Sequence, residues 1–158
     1  MLKTTSLSFC KSPSNGPARY YEITPHVKWC GLRLLAIDGS NLRLDRVDTT
    51  CRDFFDPMAV TENSCGLARV NVCYDVANRL PIDATIAPYR VNERVLAVGL
   101  FSHSNSDDLL LMDQGYPILW MFSELLHRDI RFCVRVSPNK WTLVLGRFMH
   151  SNAIDLIV

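Results

Sequence analysis

Two apolar stretches, each closed by an aspartate, constrain this chain more than any other feature. Leu32 to Ile37 is apolar except for Arg33 and runs into Asp38-Gly39-Ser40, and Leu109 to Met112 runs into Asp113-Gln114-Gly115-Tyr116-Pro117. A short continuous apolar run without alternation suits a strand covered on both faces, and the Gly, Ser and Pro that follow are turn formers. Both stretches therefore predict buried strands that end on a carboxylate. Two such carboxylates at one sheet edge would make a metal site. The simpler alternative is that each Asp caps its turn, as Asp before Gly commonly does.

The remaining pattern supplies the elements around these strands. Residues 1–30 hold Ser, Pro and Gly without sustained periodicity, which predicts a loop-rich lead-in. After Gly39-Ser40 the chain can form a short strand over Asn41 to Leu44. Ala68 to Asp75 alternates, with Ala68, Val70, Val72 and Tyr74 on one face and Arg69, Asn71, Cys73 and Asp75 on the other. Leu80, Ile82, Ala84 and Ile86 alternate again after Val76 to Arg79, so the two runs predict a hairpin. Asn92 is an N-cap for a helix reaching His103, with Val95, Leu96, Val98, Gly99 and Leu100 toward the sheet. Pro117 suits the first turn of a second helix carrying Ile118, Phe122, Leu125 and Leu126 as its apolar stripe. Ile130 to Val136 reads as a strand, and Trp141 to Phe148 as a further β segment.

The order strand, hairpin, helix, strand, helix, strand sets directions. If the first strand runs up and pairs antiparallel with the next, the third runs up again, and each helix returns the chain so that the last two strands also run up. Asp38 and Asp113 then finish at the same end of the sheet. Asp75, ending a downward strand, falls at the opposite end.

Composition narrows the function classes. At 158 residues the chain is one ordinary domain, with 48% apolar and 21% charged residues. The net charge of +1 does not by itself argue for nucleic acid. Thirteen of the 17 basic residues are arginine, the side chain suited to bidentate phosphate contacts, although a solvated surface arginine is the simpler reading of each. The six cysteines form no C-x-x-C pair and the four histidines no H-E-x-x-H arrangement, which argues against zinc or a disulfide framework. There is no apolar leader and no run of membrane-spanning length, so the expectation is a soluble, cytoplasmic protein without a membrane partner.

Ligands in sheets with parallel strands collect beyond the strands' carboxyl ends. Hard cations such as Mg²⁺ or Mn²⁺ take oxygen ligands and keep several waters. In a two-ion site a carboxylate must bridge the metals, and Asp38 on the central strand is the natural bridge, with Asp113 a ligand of one ion.

Gly31 to Ser40, the later Tyr74-Asp75-Val76-Ala77-Asn78, Asn92-Glu93-Arg94 at the start of a helix, and Leu109 to Pro117 together resemble the catalytic core of the DDE-type transposases of bacterial insertion sequences, in the branch of insertion-sequence family four. The resemblance runs from Gly31 to the C-terminus. It implies an α/β fold with a ribonuclease H-like mixed sheet and flanking helices, incomplete at the C-terminus. It also implies metal-dependent DNA strand cleavage and strand transfer, with Asp38 and Asp113 as catalytic metal ligands in a two-ion Mg²⁺ or Mn²⁺ site. Gln114 stands where the family's Asp-Arg-Gly-Tyr motif has arginine. The implied partners are double-stranded DNA, as transposon ends and target, and a second copy or a full-length transposase, in a bacterial cytoplasm at the nucleoid.

The family's third acid is a glutamate within a Tyr-x₂-Arg-x₃-Glu-x₆-Lys signature, and this sequence contains no such signature. Glu22 precedes the core, Glu62 falls in a loop and Glu93 begins the first helix. Glu124 lies seven residues after Pro117, about 10 Å down a helix leading away from the site at 1.5 Å per residue. Asp155 would serve only if the tail folded back. The expectation is therefore a lead-in over 1–30, a partial core over 31–137 and the beginning of a β-rich insertion over 138–158, forming a truncated and inactive transposase fragment. The rivals are a non-catalytic DNA-binding or partner module that inhibits the full-length enzyme, a hydrolase completed by Asp155, and a decayed gene product.

Overall fold

The strands follow one another as the apolar patterning predicts, and their directions bring the two aspartates to one end of the sheet. The computed structural model describes residues 16–44, 66–137 and Trp141. In chain order the elements are α1 (Gly16–Ile23), β1 (Arg33–Leu44), β2 (Gly66–Asp75), β3 (Leu80–Pro88), α2 (Glu93–Leu100) with a 3-10 turn at Phe101–His103, β4 (Asp108–Met112), α3 (Leu119–His127) and β5 (Arg131–Val134). The strands form one mixed sheet in the order β3-β2-β1-β4-β5. β2 runs antiparallel to both β1 and β3, whereas β1, β4 and β5 are parallel neighbours.

Both crossovers move the chain across the sheet in the same direction, so right-handed connections place α2 and α3 on the same face. That face is the core. Leu35 and Ile37 of β1 lie level with Asp75 and Cys73 of β2 and with Leu110 and Met112 of β4. Against them pack Ala97, Leu100 and Phe101 from the α2 segment, Met121 and Leu125 from α3, and Tyr116 and Ile130 from the connections.

Register, not local polarity, decides which side of β2 is covered. The fully buried row is Asn71, Cys73 and Asp75, while Val70, Val72 and Tyr74 are only half-buried. The buried row faces the helices because it lies level with Leu35 and Ile37. Asp75 is tolerated there because the Tyr21 hydroxyl donates to its Oδ2 at 2.6 Å, and the backbone N and Nδ2 of Asn78 donate to its two oxygens at 3.0 and 2.9 Å.

Several elements differ from expectation. Gly39-Ser40 is not a turn: β1 continues to Leu44 because β2 pairs with it from Leu35 opposite Asp75 through to Leu44 opposite Gly66. Its pairing with β4 stops at Ile37 opposite Met112. On α2 the buried residues are Leu96, Ala97 and Leu100, and Val95 is 58% exposed, so the helix is rotated from the predicted stripe. Asn92 is the N-cap, its Oδ1 accepting from Arg94 N at 2.9 Å. On α3 the deepest residues are Met121 and Leu125, whereas Leu126 is 70% exposed. Phe122 instead stacks on Phe132 at 5.3 Å between centroids and meets the Trp141 ring at 5.4 Å. Apart from Trp141, the predicted β segment Trp141 to Phe148 lies outside the described residues.

The lead-in holds helix α1, which the lack of periodicity did not reveal. Its Tyr21 reaches the lower end of the sheet, where the ring packs against the Arg33 guanidinium at 4.9 Å. Among the described residues no helix is long and apolar enough to cross a membrane.

Candidate functional site

Asp38, Asp113 and Arg135 form one cross-strand row at the carboxyl ends of β1, β4 and β5. The register shows why. Ala36, Leu111 and Cys133 are level with one another, as are Ile37, Met112 and Val134. The next residue on each strand is Asp38, Asp113 and Arg135. Side chains alternate between faces, so these three extend the Ala36-Leu111-Cys133 row on the side of the sheet away from α2 and α3. All six residues, with Ile37 and Met112, line one open recess of about 500 Å³.

The two aspartates predicted as a pair are thus brought together, and Asp75 is at the opposite end, engaged with Tyr21 and Asn78. The carboxylates are held differently. Asp38 lies within β1, and its Oδ1 accepts from the Gly39 backbone N at 2.9 Å. Asp113 follows β4 directly, and its carbonyl accepts from Tyr116 N at 3.1 Å, closing the Asp113-Gln114-Gly115-Tyr116 turn. Arg135, with its backbone N bonded to the Met112 carbonyl at 3.0 Å, places Nη1 3.8 Å from Asp113 Oδ1. This arginine went unread in the sequence. The register that extends Leu111 and Cys133 by two residues is the signal that finds it.

Behind this row, on the helix side, lies a second polar cluster. Gly39 points toward α2, and a Cβ there would fall inside the Glu93 carboxylate and 3.0 Å from Asn71 Oδ1. The Tyr116 hydroxyl donates to Glu93 Oε1 at 2.6 Å, and Asn71 Nδ2 donates to the Glu93 carbonyl at 3.1 Å and to the Tyr116 hydroxyl oxygen at 3.4 Å. Burial, the hydrogen bond to Glu93, and the negative charges of Glu93 and Asp38 together raise the Tyr116 phenol well above the ordinary tyrosine range.

The donor chemistry suits a hard divalent cation. Asp38 and Asp113 are exposed, and carboxylate oxygens are the ligands that Mg²⁺ and Mn²⁺ take alongside retained waters. They make two ligands rather than a complete set: among the described residues no three His, Cys, Asp or Glu side chains converge as a metal cluster. Glu93 is turned to the other face of the sheet. Glu124 is engaged with Arg128, accepting from its Nε at 2.7 Å. Glu22 is exposed on α1, and Glu62 and Asp155 lie outside the described residues.

No protein-family model matches the chain. Over 107 residues, 66% of its length, it is 31% identical to Transposase InsG for insertion sequence element IS4 of Escherichia coli (strain K12). The matched stretch spans 24% of that transposase.

Proposed function

The chain belongs to the insertion-sequence-four family of transposases, and from that premise we propose that it contributes two carboxylates of a DNA strand-cleavage and strand-transfer site. The observation that carries this reading is the placement of Asp38 and Asp113 side by side at the carboxyl ends of neighbouring parallel strands, facing one recess. The order of strands and helices, with both crossovers on one face, supports a ribonuclease H-like sheet as its frame.

Asp38 and Asp113 would be the carboxylates of this chain that hold Mg²⁺ or Mn²⁺. When bound, such ions activate a water or hydroxyl for in-line attack on a phosphodiester and stabilise the departing oxygen. The chain's own residues do the rest of the positioning. β1, paired on both sides as far as Ile37, holds Asp38 at a fixed height. The Tyr116-to-Asp113 bond orients the other carboxylate outward. Arg135 is 73% exposed, so its guanidinium is free to meet a non-bridging phosphate oxygen as well as Asp113.

Duplex DNA as partner is supported by the transposase relative and by Arg135 beside the carboxylates; further arginines lie near the upper end of the sheet, Arg69 on the face opposite the recess. Arg69 lies level with Asn41 of β1 and is fixed by stacking on Tyr89 at 4.7 Å and by donating to the Val91 carbonyl at 3.2 Å. Among the described residues none of Arg43, Arg69, Arg90 and Arg94 forms an ion pair with a carboxylate.

The third acid of the family signature is absent from the sequence, so the 158-residue chain alone is expected not to cleave. Mn²⁺ binding followed by calorimetry tests the pair: Asp38→Asn and Asp113→Asn should each abolish binding seen with the wild type. Binding indifferent to both would sink the metal assignment. Mn²⁺-dependent nicking of duplex DNA by the chain, lost in Asp38→Asn, would instead show that its site is complete.

A further inference from the structure

We propose that Tyr116 and Glu93 are positioning residues for the carboxylate pair, their hydrogen bond clamping the Asp113 turn to the Asp38-Gly39 segment of β1 and so setting the spacing of the two carboxylates. The inference rests on the metal reading of Asp38 and Asp113 given above.

The connection can be followed atom by atom. The Asp113 carbonyl accepts from Tyr116 N, so the tyrosine and the aspartate are opposite ends of one turn. The Tyr116 hydroxyl, in a side chain only 2% exposed, donates to Glu93 Oε1 at 2.6 Å. That carboxylate occupies the space a side chain at position 39 would need. Gly39 N in turn donates to Asp38 Oδ1 at 2.9 Å. Asn71 braces the arrangement from β2 through the Glu93 carbonyl and the Tyr116 hydroxyl.

This linkage adds to what the ladder supplies. β1 and β4 stop pairing at Ile37 and Met112, one residue short of the aspartates. Beyond that pair the two carboxylates belong to a strand and a turn, and the Tyr116-Glu93 bridge links these two segments from the opposite face. A merely space-filling role would not require a glutamate against a glycine, since an alkyl side chain would fill the same volume without a buried hydroxyl to satisfy.

The test is Mn²⁺ titration of the 158-residue chain, monitored by electron paramagnetic resonance of the free ion well below the melting temperature. Tyr116→Phe and Glu93→Ala should each weaken Mn²⁺ binding about tenfold, the lower end of what outer partners of metal ligands contribute. Glu93→Gln keeps an oxygen to accept from the phenol and should restore binding. Tyr21→Phe removes a comparable tyrosine-carboxylate bond at the far end of the sheet and should leave Mn²⁺ affinity unchanged while lowering stability. Glu93 is only half-buried, so Glu93→Ala decides the matter even if Tyr116→Phe fails to fold. Binding that is lost in Asp38→Asn but retained in Tyr116→Phe and Glu93→Ala overturns this inference alone. Binding unaffected by Asp38→Asn overturns the metal reading and the inference with it.

Discussion

Arg33 holds Asp108 with both arms of its guanidinium across two parallel strands, Nε to Oδ1 at 2.8 Å and Nη2 to Oδ2 at 2.7 Å. The two residues are register partners at the start of β1 and β4, and Nη2 also donates to the His103 carbonyl at 3.0 Å. The hydrogen bonds to Asp108 outweigh desolvation and raise the already high Arg33 pKa further. Asp108 is 1% exposed, so removing its partner would strand a charge in the interior.

Arg33→Met is therefore expected to destabilise by about 3–5 kcal/mol, the usual result of leaving one member of a buried pair uncompensated. Arg33→Lys should be only partly tolerated, since an ammonium cannot reproduce the two-pronged contact. Urea denaturation of the variants checks both, and a loss below about 1 kcal/mol for Arg33→Met would show that water reaches Asp108.

Gly39→Ala should cost about 1–3 kcal/mol through overpacking, because the new methyl group meets the Glu93 carboxylate and Asn71 Oδ1. The double variant Gly39→Ala/Glu93→Ala should recover much of that loss. Thermal melts of the three proteins give the coupling directly, and strict additivity would contradict the close approach.

Alkaline pH provides a separate check on the buried phenols. Burial raises Tyr116 and Tyr21 above the ordinary value of 10.0, in each case reinforced by a carboxylate acceptor. The folded chain thus keeps protons that the unfolded chain releases from about pH 10 upward, so this stabilisation is complete below pH 10 and declines as pH rises toward the folded values. Denaturation midpoints should fall as pH rises from about 10 to 11, and less steeply in Tyr21→Phe/Tyr116→Phe. An equal slope would mean that neither phenol titrates on unfolding.

Cys73 is fully buried in the core, and desolvation pushes its thiol up to about 12. Cys30 and Cys133 are free and exposed. Brief alkylation near pH 8 followed by peptide mapping should label Cys30 and Cys133 and spare Cys73 until denaturant is added. Prompt labelling of Cys73 would show that β2 opens readily.

The convergence of Asp38 and Asp113 was legible because it depends on strand directions, and those follow from apolar runs, hairpin spacing and crossover geometry. The residues around them were less so. Gly39-Ser40 has the composition of a turn, yet the β2 ladder keeps it extended, and the glycine serves Glu93 from another element. Glu93 read as an ordinary first-turn acid because its partner Tyr116 lies 23 residues away. Arg135 carried no local signal, since its meaning comes from being level with Asp113. The covered face of β2 was obscured by Asn71 and Asp75, whose Nδ2 and Oδ2 respectively meet the hydroxyls of Tyr116 and Tyr21, both remote in sequence. Helix α1 is short and takes its purpose from where Tyr21 docks rather than from its own periodicity.

The unequal reach of β1's two ladders gives the recess a direction. Past Ile37 the strand is walled by β2 as far as Leu44, while its β4 flank has no ladder partner among the described residues. Asp38 thus sits where β1 is paired on the β2 side and, among the described residues, no longer on the β4 side. Across that open flank the row steps from Asp38 to Asp113 to Arg135, so the two carboxylates and the guanidinium share one recess without a backbone wall of described residues between β1 and the β4 end.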